Sequence, residues 1–233
     1  MPTRVTRQQQ TSMRRRSILD ASLRCFLHHG VEAATIEQIR DASGASSGSI
    51  YHHFGSKGAI AIALYVEGLQ ELDVLYRQAI AGQSSLEAGL RRVIRCYFSW
   101  VDRNRDWALY LLRVATADLS APDVEAVDES NRRTREMMIE WLRPFAQRGE
   151  LIDMPEGLYP SIIFGPCSHF ARHWLVGRIS VDLPTAARHF AAAAFASLGS
   201  VRARPRRKSP AWSSARGAPV STSDAPARTD GRR

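Results

Sequence analysis

An all-α fold is predicted: an amino-terminal unit of three short to medium helices, joined through a long fourth to a larger helical body. Apolar residues recur at helical spacing through most of the first 200 positions, and tight glycine and serine joints punctuate them near the start. No β-alternating run of useful length and no internal repeat interrupts that pattern. With 233 residues and 44% hydrophobic side chains, the chain can bury a sizeable core.

The first helix reads from Ser12 to His29. Ile18, Ser22, Cys25 and His29 share one flank, Leu19, Leu23, Phe26 and Leu27 widen the stripe, and Gly30 ends it. Thr35 followed by Gln38 has capping-box spacing and opens a short helix from Ile36 to Ala42 or Ser43, with Ile36 and Ile39 inward. Gly44 breaks that helix. Ser46 or Ser47 caps the next, whose apolar pair Ile50 and Phe54 stands four residues apart before Gly55. Ser56 starts a long helix through Ile60, Leu64, Glu67 and Leu72 to about Ala81. Further helices are expected at Leu86 to Val101, Trp107 to Ala117, Val124 to Gln147, Leu158 to Leu175 and Pro184 to Leu198, with Pro144 bending or shortening the third of these.

Charge is distributed unevenly. Residues 1–57 hold eight basic and four acidic side chains, residues 58–201 fifteen and seventeen, and the segment from Arg202 onward nine and two. Both ends are candidates for a polyanion, and the middle is not. The segment 201–233, dense in Pro, Ser, Ala and Arg without apolar periodicity, is expected to be disordered. Cys25, Cys96 and Cys167 lie about seventy residues apart without a C-x-x-C pair and read as core residues. Charges and breaks interrupt Ile162 to Val176, so no membrane span is expected, and the polar amino terminus makes the cytoplasm the expected location.

If Ile50 and Phe54 face the core, Ser47, Ser49, Tyr51, His52 and His53 lie outside or at the margins of their helix. Gly48 removes a side chain near the helix start, where free amides and the dipole favour phosphate, and Lys57 adds a cation. A helix-turn-helix accounts for the short preceding helix, the Gly44 joint and this groove-facing side together.

Residues Ser17 to Val66, through ILDASLRCFLHHGVEAATIEQIRDASGASSGSIYHHFGSKGAI, closely resemble the DNA-binding region of the tetracycline-repressor (TetR) family of bacterial transcriptional regulators. The family progression matches Gly30, Thr35, Ala42 to Ser46, Tyr51, Phe54, Ser56 and Lys57. The resemblance implies that Thr35, Tyr51, His52 and Lys57 hold the DNA backbone, while Ser46, Ser47, Gly48 and Ser49 approach base edges or adjacent phosphates. Family members often carry a long basic residue or proline where this chain has Ser47, and a valine in place of Ala45. Hydroxyl or water-mediated readout is therefore expected in place of an arginine–guanine contact. The expected organisation is a flexible arm at 1–11, a DNA-binding domain at 12–57 extending into the fourth helix, an effector-binding and dimerisation domain at 58–200, and the basic tail at 201–233.

In the body, large apolar residues stand beside small ones in the last two helices. The resemblance implies a symmetric dimer through them, with Phe170, Trp174, Phe190, Ala191, Ala194, Phe195 and Leu198 as the expected contacts. It also implies an apolar effector pocket. The expected lining is Tyr97, Trp100, Trp107 and Tyr110 from the earlier body helices, Met137, Met138 and Trp141 from the middle one, and Phe164 beyond, with His169 and Arg172 as polar orienters beside Tyr97.

No metal site, cofactor or catalytic constellation is expected. His169 and His173 alone do not define a tetrahedral centre, and no HExxH, GxSxG, Walker or dinucleotide fingerprint is present. The expected function is a dimeric repressor, released by a small apolar or aromatic molecule from a palindromic double-stranded DNA operator. The alternative is a helical ligand-binding or scaffold protein whose head does not act on DNA.

Overall fold

The computed structural model describes the backbone of residues 6–114 and 121–200. Among them the elements run α1 (Arg7–His29), α2 (Ile36–Ser43), α3 (Ser47–Phe54), α4 (Lys57–Ile80), α5 (Leu86–Arg103), α6 (Arg105–Val114), α7 (Ala121–Gln147), α8 (Leu158–Leu175) and α9 (Leu183–Leu198). The all-α expectation holds for these residues. An isolated antiparallel bridge between Leu151 and Gly199 ties the end of α9 to the segment after α7.

Helix α1 begins five residues earlier than Ser12, so residues 7–11 of the expected flexible arm are helical. The cause is a second capping box: Gln9 N donates to Thr6 Oγ1 at 3.3 Å, and Thr6 N donates to Gln9 Oε1 at 2.8 Å. The same spacing at Thr35 and Gln38 opens α2, with bonds of 3.2 and 2.9 Å. Pro144 sits inside α7, which nevertheless continues to Gln147. The expected basic tail at 201–233 lies outside the described residues, as do the first five positions of the arm.

The head's core gathers Ile18 and Leu19 of α1, Ile39 of α2, Ile50 of α3, and Ile60 and Leu64 of α4, all almost fully buried. Helix α4 runs on into the body, where α6 is fastened to it by polar side chains. Trp107 Nε1 donates to Leu64 O and Tyr110 Oη to Ala61 O, each at 2.8 Å. These helices approach closely because Gly68 has no side chain: a Cβ there would lie 2.5 Å from Trp107 Nε1. Helix α9 lies on α5 through the small stripe Ala187, Ala191 and Ala194, which ends at Leu198.

The three cysteines are free, and burial raises the pKa of each thiol, that of Cys167 to about 12. They remain protonated packing groups at neutral pH.

Gly89 marks where α5 receives Trp141 of α7, since a Cβ would overlap the indole ring. Gly89→Ala is expected to destabilise the protein by about 1–3 kcal/mol in urea unfolding.

Candidate nucleic-acid interface

Helix α3 is oriented by what it buries. Ile50 is 1% exposed, and Phe54, four residues on, packs partly buried against the same core, with the Arg15 guanidinium 5.0 Å from its ring centre. Residues on the opposite side must then face outward: Gly48, Tyr51 and His52 are exposed, Tyr51 at 52%. Gly44, at φ 65°, makes the left-handed turn between α2 and α3 that a branched side chain would resist. Ser46 then caps α3, its hydroxyl accepting from Ser49 N at 3.2 Å. The amides of Ser47 and Gly48 occupy the first turn, where the helix offers them no acceptor. Small hydroxyls, free amides and an outward phenol thus meet on one face.

The other expected contacts divide. Thr35 is exposed beside this face, its oxygen already engaged as the α2 cap. Ser47 and Ser49 are half-buried at the margins of α3. His53, also half-buried, is held below the usual histidine pKa, first by burial and then by the positive neighbours His52, Arg15 and Arg14. Lys57 Nζ donates to Glu32 O at 2.6 Å and Ala34 O at 2.8 Å. Two of its three donors therefore pin the α1–α2 loop, a role that its position at the start of α4 did not reveal.

The run Arg14-Arg15-Arg16 was not singled out in the sequence, although its charge was the available signal. Arg14 lies beside the turn, its Nη1 3.5 Å from Gly44 O. Arg15 pairs with Glu67 of α4. Arg16 pairs with Asp20 at 3.1 Å, lies 3.8 Å from Glu71 and stacks 4.5 Å over Trp107. Glu71 in turn accepts from Trp100 Nε1 at 3.1 Å. The first arginine lies at the turn and the other two bind the head to the body.

The expected effector residues are mainly core. Tyr97, Trp100, Trp107, Tyr110, Met137 and Met138 are each no more than 6% exposed. Protein groups occupy their polar atoms: Trp100, Trp107 and Tyr110 as described, and Tyr97 through Ser168. Burial raises the Tyr97 and Tyr110 phenols well above the ordinary tyrosine value. Phe164 is half-buried against Tyr76 and Tyr97, with ring centres at 5.1 and 6.4 Å. His169 and Arg172, expected to orient a ligand inside, are exposed instead, and Arg172 donates to Leu112 O at 2.8 Å. Two features remain open to a ligand. Met137 lines a groove of about 530 Å3 between α4 and α7, and the buried Trp141 Nε1 has no hydrogen-bond partner among the described residues.

The expected pairing contacts also divide between the inside and the surface of the subunit. Phe170, Ala191, Ala194 and Leu198 are buried within the same subunit, because the small stripe of α9 is used against its own α5. Phe190 packs against Phe98 and, edge-on, Phe170, with ring centres at 5.8 and 5.4 Å. Trp174 lies under the Arg105 guanidinium at 4.6 Å, and Phe195 is half-buried. The outward side of α9 presents Ala192 and Ala193, and that of α8 presents Gly165, Pro166 and His169. Leu158, Val176 and Val181, which border these helices, are 49%, 46% and 45% exposed.

A capped three-helix head presenting one helix face, carried on a helical body, is the arrangement of a helix-turn-helix protein. Residues 18–64 match the family described as bacterial regulatory proteins, tetR family. It is 31% identical over 112 residues to the HTH-type transcriptional repressor AcnR of Corynebacterium efficiens, covering 48% of this chain and 54% of that one. The chain spans about half the length of the first curated relatives it matches. A TetR-family transcription regulator from Marinobacter aquaeolei VT8 superposes with a TM-score of 0.71 at 18% identity, covering 82% of this chain and 98% of that one. The regulator FadR from Bacillus subtilis, solved in complex with stearoyl-CoA, gives 0.70 at 19% identity, covering 77% and 97%. These likenesses extend the shared fold through the helical body.

Among the described residues no atom lies within 4 Å of a Cβ added at Gly48, so the head itself leaves room for a side chain there. Gly48→Leu is expected to leave the melting temperature unchanged or raised, while lowering DNA affinity about tenfold or more by holding the helix off the groove. A melting curve with fluorescence anisotropy on one duplex measures both effects.

Proposed function

We propose that the protein is a dimeric, sequence-selective transcriptional repressor acting in the cytoplasm, released from a palindromic DNA operator by a small-molecule effector. The outward face of α3 that carries Gly48, Tyr51 and His52, turned away from the buried Ile50 and the partly buried Phe54, carries this reading. Tyr51, His52 and the Thr35 end of α2 hold phosphates, with the third donor of Lys57. Ser46, Ser47, Gly48 and Ser49 face base edges or bridging waters. Arg14 adds phosphate attraction beside the turn. The AcnR likeness supports repression, and the FadR complex supports a regulator of this fold that takes a ligand.

Dimerisation uses the outward sides of α8 and α9, where Ala192, Ala193 and Gly165 permit close approach and Leu158, Val176 and Val181 add apolar area. Two heads then reach successive major-groove faces about 34 Å apart. An effector entering between α4 and α7, or reaching the Trp141 indole, acts by preferring one arrangement of α4. Arg15–Glu67 and the Arg16–Glu71–Trp100 chain carry that preference to the head.

Selection from a random duplex pool is expected to return an inverted repeat. Tyr51→Ala should weaken binding to it by about 1–3 kcal/mol without changing the fold. Recovery of no sequence preference, or full affinity in Tyr51→Ala, contradicts the assignment.

Ala193→Glu, on the exposed side of α9, should convert the dimer to monomer in sedimentation and abolish tight operator binding, whereas Ala194→Glu should unfold the body because Ala194 is buried. A dimer that persists in Ala193→Glu places the interface elsewhere.

A further inference from the structure

A second groove, of about 410 Å3, lies between α5 and α9. Its rim carries Arg91, Arg95 and Arg188 against one carboxylate, Asp102. Phe98, Leu183, Pro184 and Ala187 provide an apolar floor. We infer that this groove binds an anionic amphiphile, a monocarboxylate on a hydrocarbon chain, with the carboxylate at Arg95 and Arg188 and the chain over Phe98 and Leu183.

The pairing of charges selects that end. Arg91 is bridged to Glu87 at 2.6 Å, and Asp102 accepts from Arg105 at 2.9 Å. Arg188 donates to the neutral hydroxyl of Thr185 at 3.1 Å, which leaves its charge uncompensated by that bond. Arg95 has no ion pair or hydrogen bond among the described residues. Elsewhere in the body Arg132, Arg133, Arg143 and Arg148 all face carboxylates. Residues 58–201 hold slightly more acidic than basic groups, so this concentration of guanidinium is local.

The chemistry follows from the two materials. Guanidinium is planar, weakly hydrated and suited to bidentate carboxylate binding. An uncharged alkanol leaves the arginines unused, and a short carboxylate leaves the floor exposed. From Arg95 to Asp102 the groove runs about 10 Å along the α5 axis, enough for a medium-length alkyl chain. The α4–α7 groove is unsuited to the same ligand, because Asp73, Glu129, Glu136 and Glu140 line it against Arg77 and Arg133. The site is also separate from α3, so it does not depend on the DNA-binding assignment.

Calorimetric titration of the full chain with decanoate, 1-decanol and acetate tests the inference directly. Decanoate is expected to bind about tenfold or more tightly than either of the others. The double variant Arg95→Gln/Arg188→Gln, altered only at exposed side chains, should lose about tenfold in decanoate affinity with an unchanged melting curve, and Arg95→Lys/Arg188→Lys should recover part of it. Equal binding of decanol and decanoate overturns the proposal. So does undiminished decanoate binding by the glutamine variant, which would place the ligand elsewhere in the body.

Discussion

The head depends on the burial of Ile50 and Phe54, four residues apart on one side of an eight-residue helix. So short a helix has little stability of its own, and its orientation is set by those two anchors and its caps. Once they are seated, Gly48, Tyr51 and His52 must project outward. Ser46 determines where the helix begins, and Gly44 sets the angle from which the chain arrives. Lys57 belongs to the same device, since its ammonium draws two carbonyls of the α1–α2 loop towards the start of α4. A cation expected at a phosphate instead uses most of its donors to hold the scaffold that presents the phosphate-binding face.

The arginine run shows how one charge block is divided by helical geometry. Three successive positions on α1 point in three directions about 100° apart. Arg14 therefore reaches the turn, Arg15 reaches Glu67 and the Phe54 ring, and Arg16 reaches Glu71 and Trp107. Exposed ion pairs contribute little individually, but here they meet at an interface between elements that a ligand could shift. Trp100 extends the chain into α5, and the anchoring of Trp107 and Tyr110 on α4 carbonyls makes α6 move with α4. The head and the body core are thus mechanically joined through α4.

Periodicity, caps and turn residues were legible from the chain alone because they act over three or four residues. Thr35 with Gln38, Gly44, Ser46, Gly55 and Ser56 each perform the local role their side chains suggest, and α8 falls on the expected bounds. The same spacing at Thr6 and Gln9 shows that even the longer α1 was readable. The apolar stripe also placed Tyr51 outward, since the two faces of a helix cannot both be buried by one core. These features determined the helical class and the chemical character of the α3 face.

Tertiary structure decided which neighbour each long-range group meets. An alanine stripe on α9 is compatible with its own α5 or with a second subunit, and only packing assigned Ala191 and Ala194 to α5 while leaving Ala192 and Ala193 outside. Aromatic residues of α5 and α6 could line a cavity or fill one. They fill it, because backbone carbonyls of α4 and the Glu71 and Ser168 side chains satisfy their polar atoms. The gathering of Arg91, Arg95 and Arg188 over an apolar floor likewise unites positions almost a hundred residues apart. Periodicity reports which side of a helix is apolar; the partner covering that side is set by the competition for close packing among all the helices.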